Sequence, residues 1–142
     1  MKRKLMMGMN GFILCLGLAA CNGTHKSNSA QTLPEYKPAV DDVIDTHGEV
    51  KNKSKFLTFL DHVKKGEPDQ VRVVHYTTEG DPILHDLHYN GKEIYSTVDT
   101  RRDNFGDKKI YATICKTIVV TESNYVLTSC KDSTHDTSIL TK

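Results

Sequence analysis

Apolar and polar positions alternate in four distinct ways along this chain, and each way predicts a different element. From Leu5 to Ala20 the residues are mainly apolar, broken by Gly8, Asn10, Gly11 and Gly17, with a solid core of only nine residues from Phe12 to Ala20. A helix needs about 20 apolar residues to cross a bilayer, so this run is too short for a permanent span. From Asn22 to Pro38 the chain is polar, with no large apolar residue before Leu33, and it closes on Pro34 and Pro38. Such a segment cannot bury enough surface to offset its ordering entropy, and it reads as a flexible tether.

Helical spacing follows. Ala39, Val40, Val43 and Ile44 make one stripe of a short helical turn that stops near Gly48. Phe56, Leu57, Phe59, Leu60 and Val63 trace a longer amphipathic helix, with Ser54 available as its cap and Gly66 and Pro68 at its end. Beyond it the period changes to that of strands, over residues 70–77, 82–89, 92–99, 109–121 and 124–130. Asn90-Gly91 favours a type I′ hairpin turn, Glu79-Gly80-Asp81 forms a second turn and Glu122-Ser123 a third. A two-residue turn at Asn90-Gly91 sets Leu87 opposite Ile94 and Ile83 opposite Val98. A three-residue turn before it sets Val73 opposite Leu87 and Val71 opposite Tyr89. Val71, Val73, Ile83, Leu87, Ile94 and Val98 then share the face on which the long helix lies. The fold class expected is α+β, with N-terminal helices packed on one face of an antiparallel sheet of about five strands.

Charge and termini change the picture at the beginning of the chain. Lys2, Arg3 and Lys4 precede the short apolar run, and small residues end it, the organisation of an export signal. Leu18-Ala19-Ala20-Cys21 resembles the bacterial lipobox. That resemblance implies a diacylglyceryl thioether on Cys21, palmitate-type acyl chains, and cleavage just before the cysteine. Two acyl chains hold a protein to a membrane stably, whereas one does so only marginally. The alternative is an ordinary secretory signal with a chance cysteine at its end. The domain plan is then a signal peptide at 1–20, a lipidated Cys and tether at 21–38, an α+β domain at 39–132 and a C-terminal stretch at 133–142, either a tail or an extra edge strand. The formal charge of +1 over 142 residues rests on 19 Lys and Arg against 18 Asp and Glu. Loss of Lys2, Arg3 and Lys4 leaves 16 against 18, a net −2. Nucleic acid is therefore not an expected partner.

Once Cys21 is assigned to the anchor and Cys15 to the signal, Cys115 and Cys130 are the remaining thiols. Export places them where disulfides persist. A two-residue turn at Glu122-Ser123 sets Cys115 directly opposite Cys130, within disulfide reach. A redox pair or metal ligation is the rival reading, without a Cys-x-x-Cys spacing or a nearby His motif to support it.

Candidate chemistry is sparse. His75 and His85 fall opposite one another in the expected register with Ser96 beside them, and His88 points to the other face. Two imidazoles across a sheet suit zinc or pH sensing, or they are half-buried packing residues. No third ligand is evident, so neither a metal nor a cofactor is expected. Arg101 and Arg102 lead into a loop with Asn104 and Phe105, a surface able to receive an anion or a partner's carboxylates unless the arginines pair with Asp99 or Asp103. His47-Gly48 reads as a constrained turn. No nucleophile elbow, P-loop, His-Glu-x-x-His or dinucleotide fingerprint occurs, so no catalytic residue is assigned.

Taken together, several stretches resemble a known family: Val71-Arg72-Val73-Val74, Tyr76-Thr77-Thr78-Glu79-Gly80-Asp81-Pro82-Ile83, Tyr89-Asn90-Gly91-Lys92, Asp99-Thr100-Arg101-Arg102-Asp103-Asn104-Phe105-Gly106, Cys115-Lys116 and Tyr125-Val126-Leu127-Thr128-Ser129-Cys130. It is a group of small Gram-positive lipoproteins built around a single domain of unknown function. The resemblance spans about residues 40–130 and implies lipid attachment at the cell membrane and a domain facing outside the cytoplasm. It implies no reaction. The function expected is a membrane-anchored, non-enzymatic binding or interaction domain, whose ligand is a protein or small molecule. The alternative is a small hydrolase or metal-dependent enzyme using His75 and His85, and a third reading is an inhibitor or immunity factor.

Overall fold

The computed structural model describes residues 33–131 and 137–142. The expected signal peptide, Cys21, the tether up to residue 32 and residues 133–136 lie outside the described residues. The described residues fold mostly as β-structure, with one 13-residue helix among them. Strands β1 (Val43–Thr46) and β2 (Glu49–Lys51) precede helix α1 (Lys53–Lys65). Then come β3 (Asp69–Tyr76), β4 (Pro82–Tyr89), β5 (Ile94–Asp99), β6 (Ile110–Cys115), β7 (Thr117–Val120), β8 (Asn124–Thr128) and β9 (Thr137–Thr141). Six strands form one sheet in the order β2-β1-β3-β4-β5-β6, and β7-β8-β9 form a second.

This corrects the expected α+β class. The first expected helix is instead the β1–β2 hairpin. Its turn is His47-Gly48, both at positive φ (53° and 98°), with the Gly48 N–H donating to Asp45 Oδ1 at 3.1 Å. The large sheet is not purely antiparallel either, because β1 pairs parallel with β3, Val43 opposite Val73. The expected long strand over 109–121 breaks at Lys116, so that β6 and β7 belong to different sheets. Residues 137–141 take the edge-strand alternative and bury Ile139 and Leu140.

Both expected hairpin registers are displaced by two residues. Val71 stands opposite Leu87 and Val73 opposite His85, while Tyr89 stands opposite Ile94 and His85 opposite Val98. The cause lies in the turns. Tyr76 pairs with Pro82, leaving residues 77–81 as the connection. At Asn90-Gly91 only the Gly has positive φ, and the Asn90 side chain accepts the N–H groups of Lys92 and Glu93, both at 2.9 Å. The loop is thereby lengthened to residues 90–93. A shift of two preserves the pleat, so Val71, Val73, Ile83, Leu87, Ile94 and Val98 still share one face.

That face meets Phe56, Phe59 and Leu60 of α1 and Tyr125, Leu127, Ile139 and Leu140 of the second sheet in one core. Phe56 packs edge-on against Tyr125, with ring centroids 5.0 Å apart. α1 starts after Asn52 rather than at Ser54, and the Asn52 amide ties the Val40 and Asp42 carbonyls at 3.0 and 2.8 Å instead of capping the helix. Gly66, at φ 75°, ends it by donating back to the Val63 carbonyl.

Candidate functional site

The site arises from a strand that ends early. Upstream of Val43 the chain turns, with Asp42 N–H donating to the Ala39 carbonyl at 3.3 Å. The buried Asp42 carboxylate holds that turn by accepting Ala39 N–H at 2.7 Å and the Tyr36 hydroxyl. β1 therefore begins to pair with β3 only at Val73, and residues 69–72 of β3 have β4 on one side and, among the described residues, no strand on the other. α1 supplies a wall there, since Lys55, Thr58 and His62 recur at helical spacing on one of its sides. The result is a polar cleft of about 630 Å³ between α1, the Asp41-Asp42 turn and the open half of β3.

Most of its charged groups are held by neighbours. His62 Nδ1 lies 2.7 Å from Asp69 Oδ2, joining the end of α1 to the start of β3. Arg72 and Asp86, cross-strand neighbours, form a two-point pair at 2.5 and 2.8 Å. Hydrogen bonding to Asp86 raises the Arg72 pKa beyond its ordinary value. The guanidinium groups of Arg72 and Arg102 both lie over the Tyr36 ring, 6.0 and 5.7 Å from its centroid. Burial first, and the bond to Asp42 second, push the Tyr36 phenol up to about 12. Lys55 and Asp41 also line the cleft and make no ion pair among the described residues. Among the described residues no Ser or Cys lines it, and the Thr58 hydroxyl donates to the Ser54 carbonyl at 3.0 Å. The cleft offers mainly polar and charged contacts.

Of the residues just named, sequence reasoning singled out only Arg102 as a site candidate, and it lies over Tyr36. His88, which the sequence set on the face opposite His75 and His85, also lines the cleft, whereas His75, His85, Arg101, Asn104 and Phe105 do not. His75 and His85 sit on one face with ring centroids 6.5 Å apart, diagonal rather than opposite because of the register shift. His75 Nδ1 faces Asp45 Oδ2 at 3.2 Å, and the buried His85 Nε2 faces Ser96 Oγ at 2.8 Å. Neither imidazole lines the cleft. Desolvation, and then the neighbouring His75, push His85 down to about 4, so the ring is neutral at pH 7. Among the described residues no group of three or more His, Cys, Asp or Glu is arranged to hold a metal.

The loop arginines bind their own chain. Arg101 grips Asp99 at two points, 2.9 and 2.8 Å, and holds that carboxyl below its usual range. Arg102 approaches Asp99 at 3.6 Å and donates to the Pro34 carbonyl at 3.4 Å. Asn104 is fixed by both oxygens of Asp81, at 2.8 and 3.1 Å, while Phe105 stands 79% exposed. Cys115 and Cys130 are joined by a disulfide. Thr117 stands opposite Thr128, the register that a two-residue turn at Glu122-Ser123 requires.

A family model described as a domain of unknown function, DUF4362, matches residues 40–136. The chain belongs to the DUF4362 family. Comparison with curated proteins and with solved structures returns no match. The matched DUF4362 span contains β1 to β8, both bonded cysteines and every residue lining the cleft. Tyr36, which lies over Arg72, precedes it, and β9 follows it.

Proposed function

We propose that the chain is an extracytoplasmic lipoprotein, anchored to the cell membrane through Cys21, whose DUF4362 domain binds a ligand rather than transforming one. The observation that carries this reading is the Cys115–Cys130 disulfide. Such bonds persist in oxidising compartments, where the basic start, the short apolar run and Leu18-Ala19-Ala20-Cys21 would deliver the chain. The resemblance to small Gram-positive lipoproteins supports the same address. Binding rather than catalysis is supported by the cleft, which holds three of its four carboxylates in internal contacts and has no Ser or Cys among the described residues that line it. The net −2 of the processed chain speaks against nucleic acid as the ligand.

Growth of cells expressing the wild-type chain or Cys21→Ser with an alkyne-bearing palmitate tests the address. The wild type takes up label, sediments with membranes and is digested by protease added to cells stripped of their wall. The variant loses label and leaves the membrane fraction. Equal labelling of both, or protection from added protease, contradicts the reading.

A further inference from the structure

The open half of β3 has a hydrogen-bonding direction that can be worked out. Thr77 N–H donates to the Asp81 carbonyl at 2.9 Å, and Pro82, opposite Tyr76, has no N–H to give. Alternation then assigns the bonds to β4 to residues 69, 71, 73 and 75. Residues 70, 72, 74 and 76 turn their main-chain groups the other way, toward the line of β1. Val74 meets β1 there, opposite Ile44. Gln70 and Arg72 face the cleft, because the turn at Asp42 has carried the chain away.

The geometry points to a strand-addition site: an extended peptide segment of a protein partner lies in the cleft along residues 69–72 and continues the line of β1. This names the ligand class for the binding reading above, and it does not depend on the anchor. The direction of the peptide also follows. The Gln70 N–H is already engaged by Asp69 Oδ1 at 2.7 Å, so an antiparallel partner opposite Gln70 would lose a bond. A parallel partner opposite Val71 needs only the Gln70 carbonyl as acceptor and the Arg72 N–H as donor. It would stand where Asp41 would be had β1 continued, in the same direction as β1. Four residues of open edge span about 13 Å, enough for a segment of three or four residues. Main-chain bonds supply affinity in this mode, and flanking side chains supply selection. Lys55 on α1 and Asp41 in the turn are the charges available for it. The outer edges at β2 and β6 lack this cleft.

A displayed library of random peptides about ten residues long, panned against the full-length chain in detergent, tests the site. Enriched peptides are measured by fluorescence anisotropy against wild type and Gln70→Pro. That proline removes no bond to β4, because Gln70 faces away from it, but its ring blocks the edge. Unchanged thermal melting establishes that the variant is folded, and Thr58→Tyr, which fills the cleft from α1, serves as a second block if it is not. The expected results are binding weakened at least about tenfold by either block, and slowed hydrogen exchange at the Arg72 amide on peptide addition. Peptides that bind equally to the blocked variants, or protect β6 or β9 instead, overturn the site while leaving a binding domain. An absence of any enriched peptide overturns the peptide class, and the anchor is judged separately by acyl labelling.

Discussion

At the scale of single residues, His85 makes stability depend on pH. It is a buried neutral imidazole on the core face, bonded to Ser96 and facing His75 from β3, with Asp45 of β1 beyond. Its folded pKa of about 4 lies below the ordinary value of 6.5. As pH falls below about 6.5 the unfolded chain takes up a proton that the folded chain refuses, so stability is full above that value and declines toward pH 4. The shift corresponds to roughly 3 kcal/mol across the window. Urea denaturation at pH 7 and pH 4.5 should show the decline, and His85→Gln should flatten it. An equal decline in the variant would assign the acid sensitivity to other groups. Loss of the Tyr36 hydroxyl acts on another buried group. Tyr36→Phe leaves Asp42 with Ala39 N–H as its remaining partner and should cost about 1 kcal/mol in the same assay.

At the scale of elements, the disulfide and β9 close the core. Cys115 ends β6 in the large sheet and Cys130 follows β8 in the small one, so the bond ties the two sheets. Replacing both cysteines by Ala should cost about 3 kcal/mol for a loop of this length. Ile139→Ala removes a fully buried side chain from the last strand and should also cost about 3 kcal/mol. A melting temperature unchanged by Ile139→Ala would show that β9 is not part of the cooperative unit. Much of the element pattern was legible because it is local. β4 matches its expected range, and the Glu122-Ser123 turn sets the β7–β8 register and the cysteine pairing. The hairpin registers were not legible to better than two residues, since the Asn90 side chain bonds that lengthen the loop depend on how the chain closes. The β1–β2 hairpin was misread because Ala39, Val40, Val43 and Ile44 in so short a stretch satisfy either period. The neighbouring His47-Gly48 was the signal for a tight turn.

At the scale of the whole molecule, the candidate site was the least legible feature. Its walls come from the Asp41-Asp42 turn, α1 and two strands, brought together by a parallel β1–β3 pairing across the helix. No periodicity within one segment encodes that pairing. The groups that sequence reasoning favoured are engaged elsewhere: Arg101 with Asp99, Asn104 with Asp81 and His85 with Ser96. Residues that stand out in a sequence for their chemistry are often those the fold has most need to partner. The proposed address rests on a different kind of signal, a basic start, a short apolar run and a cysteine after small residues in linear order, and it awaits the acyl-labelling test.

The central claim is an exported, acylated chain whose domain is braced by a disulfide. Intact-mass measurement of the protein purified from membranes, before and after reduction and alkylation, reads both features. The account predicts a chain beginning at Cys21 with the mass of a diacylglyceryl group added, and two alkyl groups gained only after reduction. A chain retaining residues 1–20 without acyl mass, with both thiols alkylated before reduction, would contradict it.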